Sequence, residues 1–223
     1  MPRLKNLFWR AFTGAQAHIA SGNDRSRRYA PGFPPIIAFA DPAKPDFDSI
    51  ADLCEPGVRF YIAEWKGTTP AGWRMEIDTS MCAMILEASG RRVSLPKNVV
   101  RLGAEHVPQM VALAAQTKPG PFAQRPMEIG EWYGVLEGDK LVAMAGERAA
   151  DGDFREISGV CTLPEYQGRG YARVLTERVI QSQLERGLIP FLHVASANAR
   201  ARELYERMGF VVDQECAMRV VTR

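Results

Sequence analysis

Glu156-Ile157-Ser158-Gly159-Val160-Cys161-Thr162-Leu163-Pro164-Glu165-Tyr166-Gln167-Gly168-Arg169-Gly170-Tyr171-Ala172 is the stretch on which the reading of this chain turns. An apolar strand runs up to Pro164, turns, and enters a helix through Gln167-Gly168-Arg169-Gly170. Pro164 has no N–H to give a neighbouring strand, so the ladder ends there. Glycines let backbone N–H groups meet a ligand with no Cβ in the way. At a helix N-terminus those donors point where the helix dipole is positive, which suits a phosphate. The run lacks Gly-Lys-Ser/Thr, which excludes a nucleoside-triphosphatase loop. It also lacks the full G-x-G-x-x-G, and hairpins rather than a βαβ unit precede it, which excludes a dinucleotide fold. The plain rival is a Gly-rich turn that only starts a helix.

Working outward, Ala172, Leu175, Val179 and Ile180 give the helix after the loop a buried face. Before it stand three closely spaced strand candidates, Trp132 to Leu136, Leu141 to Glu147 and Phe154 to Leu163. Gly138-Asp139 and Asp151-Gly152-Asp153 supply turns between them, so the pattern predicts an antiparallel meander. After it, Phe191 to Ala195 reads as a strand, Ala199 to Met208 as a helix, and Phe210 onward as a strand. Upstream, Val99 to Leu102 predicts a strand, and Val107, Met110, Val111 and Ala114 share a helix face that ends at Lys118-Pro119-Gly120-Pro121. The first ninety residues carry no recognisable chemical motif. Leu4, Leu7, Phe8, Ala11, Phe12 and Ala15 form a helical stripe, and the polar Ser21 to Arg28 reads as a break before Pro31-Gly32-Phe33-Pro34-Pro35. Ile36 to Ala40, Val58 to Ile62 and Met81 to Leu86 read as strands, and Phe47 to Cys54 as a helix behind Asp46. Ser89-Gly90-Arg91-Arg92 is the best boundary, dividing residues 1–90 from 91–223.

Composition narrows the function classes. The 223 residues hold 28 Lys+Arg against 26 Asp+Glu, a net charge of +2, so charge alone gives no case for a nucleic-acid binder. Arg25, Arg27, Arg28 and Tyr29 are the residues such a protein would use here. Cys54, Cys82, Cys161 and Cys216 stand far apart, and His18, His106 and His193 show no ligand spacing. No metal site is therefore expected. No apolar run approaches the ~20 residues of a membrane helix. The expected setting is cytoplasmic, with no nucleic acid and no membrane as partner.

Gln167-x-x-Gly170-x-Ala172 after a strand resembles the acyl-CoA pyrophosphate loop of the GNAT superfamily of N-acetyltransferases. Its later signature is matched by Asn198, Ala201 and Leu204-Tyr205-Glu206-Arg207-Met208-Gly209-Phe210, in the right order. The resemblance covers about Val99 to Arg223. Glu156 to Thr162 and Pro190-Phe191-Leu192-His193-Val194 look closest to the glycine N-acyltransferase-like branch. The resemblance implies an α/β fold, a twisted mixed sheet flanked by helices, with residues 1–90 as a smaller α/β region. That region is either a degenerate half of the same type or a wall of the substrate cavity.

The same resemblance implies acetyl-CoA as acyl donor and a primary amine as acceptor, joined by direct attack. Val160, Cys161 and Thr162 would offer backbone groups to the pantetheine amides. Gln167, Gly168, Arg169, Gly170, Tyr171 and Ala172 would hold the pyrophosphate, and Asn198 would lie near the cofactor while also suiting a helix N-cap. Tyr205 would protonate the leaving thiolate; its rival reading is a core aromatic on the same stripe as Leu204. Glu156 is the expected base, eleven positions before Gln167, the offset at which histone-type members carry theirs. Partial burial there would raise its pKa. Glu147 and water are the alternatives to it, and a rim carboxylate paired with Arg155 or another arginine is the bland reading. Cys161 lies among apolar neighbours that keep a thiol inert, and His193 reads as a satisfied strand histidine. A small-molecule or amino-acid acceptor is expected, a homodimer is admitted, and a non-catalytic acyl-CoA-binding module is the alternative function. The Thr117 to Phe122 loop is where acceptor specificity is expected.

Overall fold

In a computed structural model the structure describes residues 1–87 and 98–223. The boundary at Ser89 to Arg92 lies outside the described residues. In chain order the elements are α1 (Leu7–Thr13), β1 (Ala20–Gly22), β2 (Ser26–Tyr29), β3 (Ile36–Phe39), α2 (Asp48–Ala51), β4 (Phe60–Ala63), β5 (Arg74–Leu86) and β6 (Val99–Arg101). They continue with α3 (Val107–Thr117), β7 (Trp132–Glu137), β8 (Lys140–Asp151), β9 (Phe154–Thr162), α4 (Tyr171–Glu185), β10 (Ile189–Ala195), α5 (Ala199–Arg207) and β11 (Phe210–Thr222).

Among the described residues the strands form one mixed sheet in the order β1-β2-β3-β4-β11-β5-β10-β9-β8-β7-β6. Only β3–β4 and β9–β10 pair in parallel. The meander predicted for Trp132 to Leu163 is present as β7, β8 and β9. The long strand β5 lies inside the sheet, antiparallel to both β10 and β11. Its sequence accounts for this, because Met81 to Leu86 is apolar at every position and both faces need covering. Cys82, Met84 and Leu86 join the core under α3, α4 and α5, while Ala83 and Ile85 join the core under α1. A third cluster, around Phe39, Phe47, Phe60, Trp65 and Trp73, fills the far end.

α1 has only seven residues, too few to be helical alone. It is held by its apolar stripe, since Leu4, Leu7, Phe8, Ala11 and Phe12 are all buried, and each large side chain contributes about 1.5–3 kcal/mol. The polar Ser21 to Arg28, read from sequence as a break, instead forms the β1–β2 hairpin. Asn23 Oδ1 accepts the N–H groups of Arg25 (2.8 Å) and Ser26 (3.0 Å) and so folds the turn. Arg28 is buried over the Phe60 ring at 4.8 Å and paired with Glu55 at 2.7 Å, which is how a charged residue enters this strand.

The β8–β9 ladder is broken by two irregularities. Gly146 pairs with Ser158 but Met144 with Cys161, so β9 bulges at Gly159. Gly159 has φ +64°, and a Cβ there would lie 2.6 Å from the Trp132 ring, so only glycine fits. Across the second irregularity, Glu147 pairs with Ile157 and Ala150 with Arg155, so Arg148 and Ala149 together face Glu156.

Candidate active site

β9 and β10 run in register through Ile189↔Phe154, Pro190↔Arg155, Phe191↔Glu156 and Leu192↔Ile157, and there the pairing stops. β10 continues along β5 to Ala195↔Met81, while β9 continues along β8 to Thr162↔Ala143. The two central strands therefore part, and Val160, Cys161 and Thr162 line one side of the opening. Thr162 Oγ1 is buried there without a hydrogen-bond partner among the described residues. A buried hydroxyl normally has one, so the opening offers an unfilled polar position.

The strand ends in a single 3-10 turn, Pro164–Tyr166, followed by Gln167, whose Nε2 donates to Thr162 O at 3.4 Å. Gly168 and Gly170 both adopt positive φ (+79° and +80°), and an added Cβ would meet nothing within 4 Å at either. Gly170 directly precedes α4 and provides no side-chain cap. Among the described hydrogen bonds none uses the N–H of Gly168, Arg169 or Gly170, and the first N–H groups of α4 have no intrahelical acceptor by construction. Arg169 folds over the Tyr166 ring (4.8 Å), and the Tyr171 hydroxyl donates to Glu137 at 2.7 Å. The result is a shallow cradle of backbone donors with open space in front, which fits a diphosphate.

Across the opening stands α5. Asn198 caps it, its Oδ1 accepting the Ala201 N–H at 3.1 Å, so the cap reading of Asn198 holds in the structure. Tyr205 is buried against Phe210 (5.9 Å between ring centroids), and its hydroxyl makes no hydrogen bond among the described residues. Burial pushes its phenol up to about 12, which keeps the proton on it at neutral pH. Burial also raises the Cys161 thiol to about 11, so it is inert as a nucleophile. His106 Nδ1 accepts the Gly103 N–H at 3.0 Å and helps start α3.

Both carboxylates named from sequence are buried and engaged. Glu156 has a fully buried side chain. Its oxygens accept from Arg148 Nε (2.9 Å) and Nη2 (2.5 Å) and from Ala149 N (3.2 Å), and one lies 2.7 Å from His193 Nδ1. Burial alone would raise its pKa, as the sequence led us to expect, but Arg148 and His193 outweigh burial and hold the carboxyl well below the usual range. The expectation of a raised pKa is corrected accordingly. Glu147 accepts from Glu131 N and Gln183 Nε2, each at 3.0 Å, and pairs with Arg186. It borders a small cavity, about 10 Å³, with Pro34, Phe122, Trp132, Arg148 and Ser158. Pro121 and Phe122 of the loop after α3 line that cavity too. Among the described residues no three or more His, Cys, Asp or Glu side chains gather as a metal site, and no helix is long and apolar enough to cross a membrane.

The FR47-like protein family matches residues 132–219. A crystal structure of a GNAT-family protein from Novosphingobium aromaticivorans, assigned as an acetyltransferase, is 33% identical, covers 99% of this chain and 98% of its own, and superposes with a TM-score of 0.90. The chain belongs to the GNAT superfamily. As a GNAT protein it is an acyl-CoA-dependent acyltransferase with the expected mixed sheet flanked by helices. A GCN5-related N-acetyltransferase-like protein from Streptococcus suis, 16% identical with 98% and 97% coverage, extends the likeness of fold at a TM-score of 0.65. No curated protein matches the chain.

Sequence reasoning found the glycine turn between β9 and α4, the strand before it and the helix bearing Tyr205. It did not find that His193 and Arg148 close on Glu156. The signal available was weak: a histidine in the strand after the loop helix, and an arginine directly after Glu147.

Proposed function

We propose that this GNAT protein transfers an acetyl group from acetyl-CoA to a primary amine by direct attack, with no acyl-enzyme. The carrying observation is the parting of β9 from β10 beyond Ile157–Leu192, on the strand that leads to N–H groups before α4 that no described hydrogen bond uses. Val160, Cys161 and Thr162 would pair with the pantetheine amides as an added strand does. Gln167, Gly168, Arg169, Gly170, Tyr171 and Ala172 would cradle the pyrophosphate, and Asn198 would stand beside the cofactor. Tyr205, protonated and unbonded, would supply the proton that the leaving thiolate takes. Glu156 would serve proton removal from the amine; since its carboxylate is held by Arg148, it would do so through the groups it binds rather than as a free base.

The acceptor would be a small molecule or amino acid. Phe122, Trp132, Glu147 and Pro34 of the N-terminal region would form its wall; the cavity they border, about 10 Å³, holds about one water, so it marks a place for the acceptor and not its size. We assign residues 1–90 that wall and 91–223 the transferase domain, with β5 of the first segment completing the sheet of the second, and propose the glycine N-acyltransferase-like branch as nearest on the Glu156 to Thr162 and Pro190 to Val194 runs. A cytoplasmic setting accords with four buried, unpaired cysteines. The test is release of free CoA thiol from acetyl-CoA in the presence of glycine, glutamate, benzylamine, spermidine or a peptide with a free N-terminal alanine. Amine-dependent release is expected. CoA binding without release under any of these amines identifies an acyl-CoA-binding module instead.

A further inference from the structure

His193 is the first residue of β10 past the last registered pair with β9, so its side chain sits at the fork of the opening. Its Nδ1 lies 2.7 Å from Glu156 Oε1. An ionised carboxylate only accepts hydrogen bonds, so Nδ1 carries the hydrogen and, in the neutral ring, Nε2 carries the lone pair. Nε2 has no hydrogen-bond partner among the described residues, and the side chain keeps 7% exposure. The ring cannot readily turn over. Phe8 of α1 stacks on it (5.5 Å, 20°), and the edge of Phe191 closes the other side (5.8 Å, 89°). Glu156 in turn is fixed by the guanidinium of Arg148 and the Ala149 N–H. The charged groups facing the ring are Arg148 from β8 and Glu156 from β9. Behind them the Tyr29 phenol of β2 is bound to Gln16 at 2.7 Å, while Phe8 of α1 stacks on the ring and Ala83 of β5 is its ladder partner.

We propose that His193 Nε2 takes the proton from the acceptor ammonium, with Glu156 as the positioning residue that fixes its tautomer and Arg148 as the lock on Glu156. This rests on the transferase reading above, with the thioester in the β9–β10 opening. Of the three protons on the ammonium, the first passes to Nε2 and on to solvent, which frees the lone pair. The C–N bond then forms and the C–S bond breaks. Sulfur takes the Tyr205 proton, the second nitrogen proton refills the phenol by way of solvent, and the third stays on the amide. A histidine oriented by a carboxylate answers why Glu156 can be locked in an ion pair and still serve the reaction.

Histidine ring 15N spectra test the assignment without any acceptor. The three histidines are sorted by the signals that His193→Gln removes. The expected result is an Nδ1–H tautomer for His193 whose ring signals move when acetyl-CoA is added. In the thiol-release assay, with the panel amine most readily used, His193→Gln should bind CoA within about 2-fold of wild type. Its kcat/KM should fall about 10²- to 10⁴-fold at neutral pH and recover as the amine deprotonates unaided. Glu156→Gln keeps an oxygen for Nδ1–H but loses the charge, so the acidic limb of the kcat/KM profile should move to lower pH; a purely structural Glu156 would lower Tm and leave the limb in place. An Nε2–H tautomer, ring signals indifferent to acetyl-CoA, or a fully active His193→Gln overturns the proposal. If the wild type itself releases no thiol, the transferase reading fails separately, and the spectra still decide whether His193 faces the acetyl-CoA site.

Discussion

Replacing Gly170 by alanine puts one methyl group in front of the amides that precede α4. The backbone there has φ +80°, and the new Cβ would meet nothing within 4 Å. Its effect on stability is therefore the left-handed backbone penalty alone, about 1–2 kcal/mol, or a Tm fall of roughly 2–8 °C for a chain of this size. Its effect on CoA is separate. A methyl group between amide and phosphate would remove one charge-assisted hydrogen bond, about 1.5–3 kcal/mol, so Kd should rise ~10- to 100-fold. Gly187, past the other end of the same helix, provides the control. It has φ +72° and equally open surroundings, so Gly187→Ala should lose a similar Tm and leave CoA affinity within about 2-fold. Thermal melts by circular dichroism and CoA titration calorimetry on both variants make the comparison. If the two bind CoA equally well, the diphosphate does not rest on this turn, and the reasoning from backbone donors is wrong.

Tyr205→Phe removes a hydroxyl with no hydrogen-bond partner among the described residues, so stability and CoA affinity should hold while kcat drops about 10²-fold or more; stopped-flow thiol release measures this, and unchanged turnover removes Tyr205 as the acid. Arg148→Met should leave the Glu156 carboxyl buried without its cation and lower stability by roughly 3–5 kcal/mol. The wild-type carboxyl ionises below its unfolded value of 4.5, so its contribution is complete above that pH and declines as pH falls through 4.5 and below. Urea melts across pH 3 to 6 should show that decline in the wild type and a flatter profile in Arg148→Met. Phe122→Ala should raise KM for the amine and leave CoA affinity unchanged; a shift in CoA affinity instead would place the acceptor elsewhere.

The legible part of the fold was the part built from local pattern. Alternation and turn residues gave β7, β8 and β9, and the 3.6-residue stripe gave α3, α4 and α5 close to their observed ends. Arg74 to Ser80 was not legible, because that half of β5 is mostly polar and none of it is buried, and its register with β11 makes it a strand. Ser26 to Tyr29 was hidden for a related reason: Arg28 enters the core only because Phe60 and Glu55, from elements more distant in sequence, receive it. At the site, the loop glycines were readable because conformation restricts them one at a time. The Glu156 environment was not, since its partners come from three positions spread across β8 and β10. Burial and an arginine partner were each weighed for it; that the Arg148 guanidinium and His193 would together outweigh burial was not foreseen.

The place of β5 between β10 and β11 has a consequence for the birth of the molecule. Ser80 and Glu215, bonded across that seam at 2.8 Å, are 135 positions apart. Contacts so distant in sequence form late. At a synthesis rate of ~5–20 residues per second, Met81 to Leu86 waits roughly 6–25 s for β11 to begin leaving the ribosome. During that interval six consecutive apolar residues lack the strand that will cover one edge, and a nascent-chain chaperone would find its client there.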